Sequence, residues 1–102
     1  MTSAVQPAFN DLIHSPVRLR ICGLLRRVAE LEFSVVRDTL ELNDANLSKN
    51  LKVLAQADLI TLRKEPSPSR NDSRRLTWIG LTDAGRSALE GHLRALAMIA
   101  AE

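Results

Sequence analysis

Between Val17 and Leu54 the apolar residues of this chain recur every three or four positions, and from Ile60 they recur at every second one. The first spacing buries one stripe of a helix and the second buries one face of a strand, so the chain should be helical first and β-like afterwards. The tract PSPSRNDSRR, residues 66–75, holds two prolines, three serines, Asn71 and Asp72, a composition that favours turn over strand. Ile60, Leu62 and Lys64 alternate with Thr61, Arg63 and Glu65 before that tract, and the run from Leu76 to Thr82 follows it. Together they predict a β-hairpin with a long tip. With 102 residues the chain should form a single domain, residues 1–102. No apolar run approaches the roughly 20 residues of a membrane span, and Met1 to Phe9 lacks the basic and apolar pattern of a secretory signal. The expected compartment is the cytoplasm, with no membrane partner.

Ser15 and Pro16 make a helix start, a hydroxyl able to accept a free amide followed by a residue that lacks one. A helix is expected from Pro16 to Ala29, with Val17, Ile21, Leu24, Leu25 and Val28 as its buried stripe and Arg18, Arg26 and Arg27 toward water. Before it, Phe9, Leu12 and Ile13 follow helical spacing in a short segment, residues 8–14. Ser34 is the expected cap of a second helix reaching Glu41. A third, from Asp44 to Ala57, aligns Leu47, Leu51, Leu54 and Asp58. Two short helices a few residues apart make a helix-turn-helix, residues 34–58, and the hairpin then covers 60–82. Thr82 and Asp83 open a last helix, residues 83–100, with Leu89, Leu93, Leu96 and Ala100 along one side and Ala88, Ala95 and Ile99 beside them. So wide an apolar stripe, with Phe9, Leu12 and Ile13, suggests a homodimer interface made of Phe9, Leu12, Ile13, Leu89, Leu93, Leu96 and Ile99. The fold class is mainly α with a small β-hairpin wing.

The chain carries 14 basic and 12 acidic residues, and the excess lies between residues 43 and 82, where seven basic residues face four acidic ones. Arg63, Lys64, Arg70, Arg74 and Arg75 fall within 13 residues of the hairpin. Opposite its leucines the third helix presents Ala45, Lys49, Lys52 and Gln56, with Asn46 and Ser48 toward the edges. An α-helix fits the major groove of duplex DNA, where Asn46 can pair bidentately with adenine and Lys49 can reach the guanine acceptors. Ser48, Asn50 and Lys52 suit phosphates, and Arg70, Arg74 and Arg75 suit phosphates and narrow minor grooves. Each feature alone also fits a solvated hairpin or an ordinary amphipathic surface helix; the two in succession are more specific.

The runs SPVRLRICGLL and LSKNLKVLAQADLI, the Phe33-Ser34 helix start, the hairpin and LTDAGRSALEGHLRAL resemble the winged helix-turn-helix transcriptional regulators of bacteria and archaea. The likeness is to their short winged-helix group related to the MarR and ArsR families, and it covers Phe9 to Met98. It implies that residues 44–57 are a recognition helix, that 60–82 are a wing and that the terminal helices dimerise. Lys49-Asn50 stands where relatives often carry Arg-His, Ala45 where the short group often has Gly, and Ala57-Asp58-Leu59 where Ala-Gly-Leu is usual. Asp58 is therefore expected to hold a helix C-terminus at which glycine would relieve backbone strain.

The resulting expectation is a sequence-specific, homodimeric transcriptional regulator, a repressor, on a pseudo-palindromic duplex site. The alternative is a winged helix that binds protein. An enzyme is not expected, since the chain has no glycine-rich phosphate loop and no spaced nucleophile, acid and base. One cysteine, Cys22, and two histidines, His14 and His92, cannot complete a metal site within one protomer, so no metal or other cofactor is expected. His92 as half of an intersubunit site and Cys22 as a redox sensor are minor alternatives to buried, structural roles. A small-molecule effector is left open, its identity unknown.

Overall fold

Each of the four helices in the computed structural model, which describes residues 5–66 and 75–102, begins where a side chain accepts a free backbone amide. Helix α1 (Pro16–Leu25) is capped by Ser15, whose Oγ accepts from the Arg18 amide at 3.5 Å. Helix α2 (Phe33–Thr39) is capped by Glu32, which accepts from the Ser34 amide at 3.0 Å, so the cap is the residue two before the serine expected. Asn43 Oδ1 accepts from the Asn46 amide at 2.7 Å to start α3 (Asp44–Gln56). Thr82 Oγ1 accepts from the Gly85 amide at 2.8 Å to start α4 (Asp83–Ala100).

Helix α1 stops at Leu25, short of the expected Ala29, and Val28 is exposed. The chain must leave the helix there because Leu31–Glu32 forms a strand, β1, that pairs with β3 (Arg75–Leu81) through Leu31↔Ile79 and Glu32↔Trp78. Two residues are too few to show a period, so this strand is invisible in the sequence. Strand β2 (Ile60–Pro66) pairs antiparallel along the other edge of β3, giving the sheet order β1-β3-β2. The core lies between this sheet and the helices: Ile21 and Leu25 of α1, Val36 of α2, Leu47 and Leu54 of α3 and Ile79 of β3 are all fully buried. Among the described residues no helix is long and apolar enough to cross a membrane.

Two helices end by the same device. Glu41 after α2 and Asp58 after α3 take the left-handed conformation, with φ of 56° and 61°. At the first, the Leu42 and Glu41 amides donate back to the Arg37 and Asp38 carbonyls; at the second, those of Leu59 and Asp58 donate to Leu54 and Ala55. This paired closure satisfies the last helix carbonyls and normally uses glycine, because a Cβ is crowded there. Asp58 also sets an anion at the negative end of the α3 dipole. Asp58→Gly should therefore raise stability by about 0.5–1 kcal/mol after the greater freedom of glycine in the unfolded chain is counted. A urea midpoint that moves upward checks it.

The Leu81-Thr82-Asp83-Ala84-Gly85 element joins this corner to α4. The Thr82 hydroxyl donates to the Asp58 carbonyl at 2.7 Å, and the Thr82 amide donates to the Leu59 carbonyl at 3.1 Å. The start of α4 is thereby pressed so close to the start of β2 that a Cβ on Gly85 would lie 1.9 Å from the Leu59 carbonyl oxygen.

Residues 8–14 are not the short helix expected. Residues 8–10 run irregularly beside α4 and residues 11–14 form a turn: the Ala8 amide donates to the Gly91 carbonyl and the Asn10 amide to His92 Nδ1, both at 2.9 Å. Gly91, whose backbone this segment approaches, leaves it room. His92 is fully buried, and its Nε2 faces His14 Nδ1 at 3.3 Å. Because Nδ1 accepts from Asn10, the neutral ring carries its proton on Nε2 and donates it to His14. Burial, and then the neighbouring His14, hold the His92 pKa below the ordinary value of 6.5, while Asp11 pulls the other way. The unfolded chain therefore takes up a proton before the folded one does as pH falls. The stability tied to His92 is fully present above that ordinary value and is lost as pH drops below it. Urea midpoints should fall between about pH 7.5 and pH 5.5, and fall less in His92→Gln, which can accept from Asn10 without titrating.

Candidate nucleic-acid interface

Helix α3 is held by its inner face and by its first turn. Leu47, Leu51 and Leu54 enter the core, and Asp44 receives Arg37 Nη1 at 2.9 Å. Ala45, Ser48, Lys49, Lys52 and Gln56 are left exposed on the outer face, with Asn46 half-buried at its edge. The structure thus gathers the residues expected to read or hold DNA on one side of one helix, with one exception. Asn50 is only 4% exposed and cannot meet a phosphate. Its Oδ1 accepts from Arg18 Nη1 at 2.9 Å, while its Nδ2 donates to the Asn46 carbonyl and to Asn46 Oδ1, both at 2.9 Å. Arg18 in turn donates through Nε to the Leu12 carbonyl at 2.6 Å. What looked like a phosphate ligand and a solvated arginine is a buried link that ties α3 to α1 and to the N-terminal segment. The bond from Asn50 to Asn46 Oδ1 also engages that side-chain oxygen, leaving the Asn46 side-chain NH2 as the group free to donate.

The two faces of the hairpin differ. Lys64 pairs across the sheet with Thr77 and Leu62 with Ile79, so these side chains share the face turned toward α3. Arg63 pairs with Trp78 on the opposite face. There its guanidinium donates to both Glu30 oxygens, at 2.8 and 3.2 Å, and to Glu65 at 3.2 Å, and lies 5.7 Å from the Trp78 ring centroid. The hydrogen bonds from Arg63 hold the Glu30 carboxyl below its usual pKa. Arg63 is therefore an ion-paired residue of the far face and does not join Lys49 and Lys52, a correction to its expected place in the basic surface. Glu30, Glu65 and Trp78, which organise that face, carried no signal in the sequence, since nothing in spacing brings residue 30 beside residue 63. Arg70 and Arg74 lie outside the described residues, as does the Arg75 side chain.

The expected dimer residues divide as well. Ile13 and Leu89 are 0% and 1% exposed within the protomer, so they belong to its own core and are withdrawn from any partner. Phe9 and Ile99 are exposed, and so is Met98; Leu12, Leu93 and Leu96 are half-buried. His92 has both ring nitrogens engaged inside the protomer, which removes it from an intersubunit metal site. Cys22 is fully buried, and burial pushes its thiol up to about 11 against a smaller opposing effect of Arg18. So little thiolate at neutral pH suits a small core side chain and not a redox sensor.

This chain is similar in sequence and in fold to several known proteins. An uncharacterised protein of Methanocaldococcus jannaschii is 29% identical over 82 residues, covering 80% of this chain and 85% of that one. A transcriptional regulator homologue from Pyrococcus horikoshii superimposes with a TM-score of 0.77 at 26% identity, covering 88% of this chain and 85% of that chain. A likeness of fold alone extends to a cysteine-to-serine mutant of MarR from E. coli complexed with operator DNA, with a TM-score of 0.64 at 18% identity over 82% of this chain and 56% of that one. The family model described as a winged helix DNA-binding domain matches residues 17–100. With its helix-turn-helix, hairpin and final helix all inside that match, this chain belongs to the winged-helix DNA-binding domain family.

Proposed function

We propose that this protein is a sequence-specific transcriptional regulator that binds duplex DNA as a homodimer on a pseudo-palindromic site and acts as a repressor. The observation that carries the reading is the line of Lys49, Lys52 and Lys64, exposed on α3 and on the α3 side of the hairpin and in no ion pair among the described residues. Exposed lysines on a helix and on the strand beside it match a row of phosphates and a groove floor. Lys49, nearer the N-terminal half of α3, reaches base edges; Lys52 and Lys64 hold the backbone. Phe9, Met98 and Ile99, with Leu93 and Leu96, provide the apolar surface for a second copy. Two-fold symmetry then places half-sites about one helical turn apart. A dimer clamped across two grooves represses by excluding other proteins from that stretch of DNA.

Lys49→Ala should weaken binding to the specific site by about 1–3 kcal/mol and relax preference at one position per half-site. Lys64→Ala should weaken binding to all duplexes alike and reduce the salt slope by about one. Fluorescence anisotropy against specific and random duplexes at two salt concentrations separates the two, and unchanged affinity in both variants would sink the assignment of this face. Sedimentation should show a dimer at micromolar concentration and a monomer for Ile99→Asp.

A further inference from the structure

Helix α1 carries a glycine, Gly23, two residues before its end, at a position where glycine weakens a helix relative to alanine. Packing does not call for it. A Cβ on Gly80, Gly85 or Gly91 would lie 3.0 Å or less from a backbone oxygen, whereas one on Gly23 would meet nothing within 4 Å, and no glycine among the described residues has a positive φ. Gly23 instead lines a surface cleft of about 420 Å³ together with Arg20, Leu24, Arg26, Arg27 and Leu40. None of the described residues lining it is acidic, and none of its three arginines enters an ion pair among the described residues. Arg20 donates through Nη2 to the Leu40 carbonyl at 3.3 Å, which anchors its guanidinium at the end of α2 and leaves its other N–H groups for a ligand. Arg86 Nη1 donates to the Arg26 carbonyl at 2.9 Å and brings a further cation to the end of α1. Cations past that end also complement the helix dipole, but this accounts for neither the glycine nor Arg20. At 100° per residue, Arg20, Leu24 and Arg27 lie roughly 120–180° around α1 from Arg18, which reaches Asn50, so the cleft faces away from α3.

We propose that this cleft binds the polyphosphate chain of a small molecule, with one phosphate against the bare backbone at Gly23 and the arginines around it. Glycine serves where a ligand must come close to the backbone, and here a Cβ would stand in the space a phosphate needs. Guanidinium groups suit phosphate because their planar fork donates bidentately and stays charged. Three arginines with no acid among them match a chain of several negative charges better than a lone carboxylate. The volume falls in the range of small-molecule sites and is too small for a folded partner. Two sources share this chemistry: a nucleotide, whose base would rest on Leu24, and an inorganic chain, which would use the arginines alone. The site stands apart from the DNA-binding reading, since it shares no residue with the face of Lys49, Lys52 and Lys64.

The test is a backbone amide NMR titration of the full chain with tripolyphosphate, ATP and adenosine, at about 50 mM salt where screening is weak. Amides of Arg20, Gly23, Leu24 and Arg27 should shift with tripolyphosphate or ATP at an apparent Kd of about 1 mM or below, ahead of any shift at Lys49, Lys52 and Lys64. Equal affinity for the two phosphates assigns the site to an inorganic chain and tighter binding of ATP assigns it to a nucleotide; either result supports it. Gly23→Ala should raise the melting temperature by a few degrees and weaken binding about tenfold or more, so that stability and affinity move in opposite directions. Arg27→Gln, at an exposed position, should melt near the parent and bind several times more weakly. A Gly23→Ala protein that binds like the parent, or melts no higher, overturns the inference, the second because the fold itself would then need the glycine. Adenosine binding as tightly as ATP, no response to either phosphate at about 10 mM, or shifts that saturate together on both faces overturn it as well. If Gly23→Ala and Arg27→Gln instead weaken duplex binding as much as Lys49→Ala does, the arginines serve the DNA backbone and the small-molecule site is lost.

Discussion

Gly85→Ala should cost at least about 3 kcal/mol and leave most of the protein unfolded or in inclusion bodies. The added Cβ would sit 1.9 Å from the Leu59 carbonyl oxygen and 2.8 Å from its carbon, and both are backbone atoms that no rotamer change can move. Relief requires α4 to lift away from the start of β2. That movement would break the Thr82 bonds to Asp58 and Leu59 and loosen the fully buried packing around Leu89. Denaturant unfolding measures the loss directly, and Ala84→Gly, one residue earlier and exposed, is the control. That control should lose no more than about 1 kcal/mol, the ordinary helix penalty of glycine. Equal effects at the two positions would mean that helix propensity, and not the close approach of backbone to backbone, explains the glycine.

Arg18→Met should destabilise by about 2–3 kcal/mol while leaving the aliphatic part of the side chain in place. The arginine satisfies the Leu12 carbonyl and the buried Asn50 Oδ1 together, and the substitution leaves both without their charged donor. Asn50 is the point at which α3 is tied to α1, so a second effect is expected on the proposed DNA face. Affinity for a specific duplex should fall although Arg18 lies behind the helix, and the loss should diminish at low temperature, where the folded fraction recovers. The double variant Arg18→Met, Asn50→Leu removes both polar partners and should recover part of the stability, as expected when a buried pair is replaced by apolar groups. A double variant no more stable than the single one would show that the pair does more than satisfy itself.

The order of the elements was legible because it rested on periods. The leucines at 47, 51 and 54 face the core, the alternation after Ile60 forms the hairpin, and Thr82 caps the last helix. Residue type misleads where it conflicts with position. Asn50 lies roughly 60° from the Leu47 direction at 100° per residue, on the inner side of the helix, so the helical wheel already set it apart from Lys49. Its amide chemistry suggested a phosphate instead. The place of Arg63 is hidden for another reason: its neutralising partner Glu30 is distant in sequence, and only the β1–β3 pairing brings that acid to the hairpin. For residues 8–14 the helical spacing is present but short: the Ala8 and Asn10 amides bond to α4, and only a single turn, closed by the His14 amide on the Asn10 carbonyl, remains of the helix. Asp58 went the other way, since a departure from an expected glycine correctly located a left-handed residue.

The strap that joins Asn10 to His92 spans 82 positions of the chain. A contact of that separation gains nothing until nearly all the intervening chain is already in place, so it closes late in assembly. By the same logic it opens early. The amides of Ala8 and Asn10 can exchange with solvent through a local parting that leaves the α1–α3 core intact, whereas those of Leu25 and Leu54 must await global unfolding. Helix α4 thus has two degrees of attachment: its first turn is locked by Thr82 and Gly85, and its middle is fastened by a latch that can part while that first turn holds.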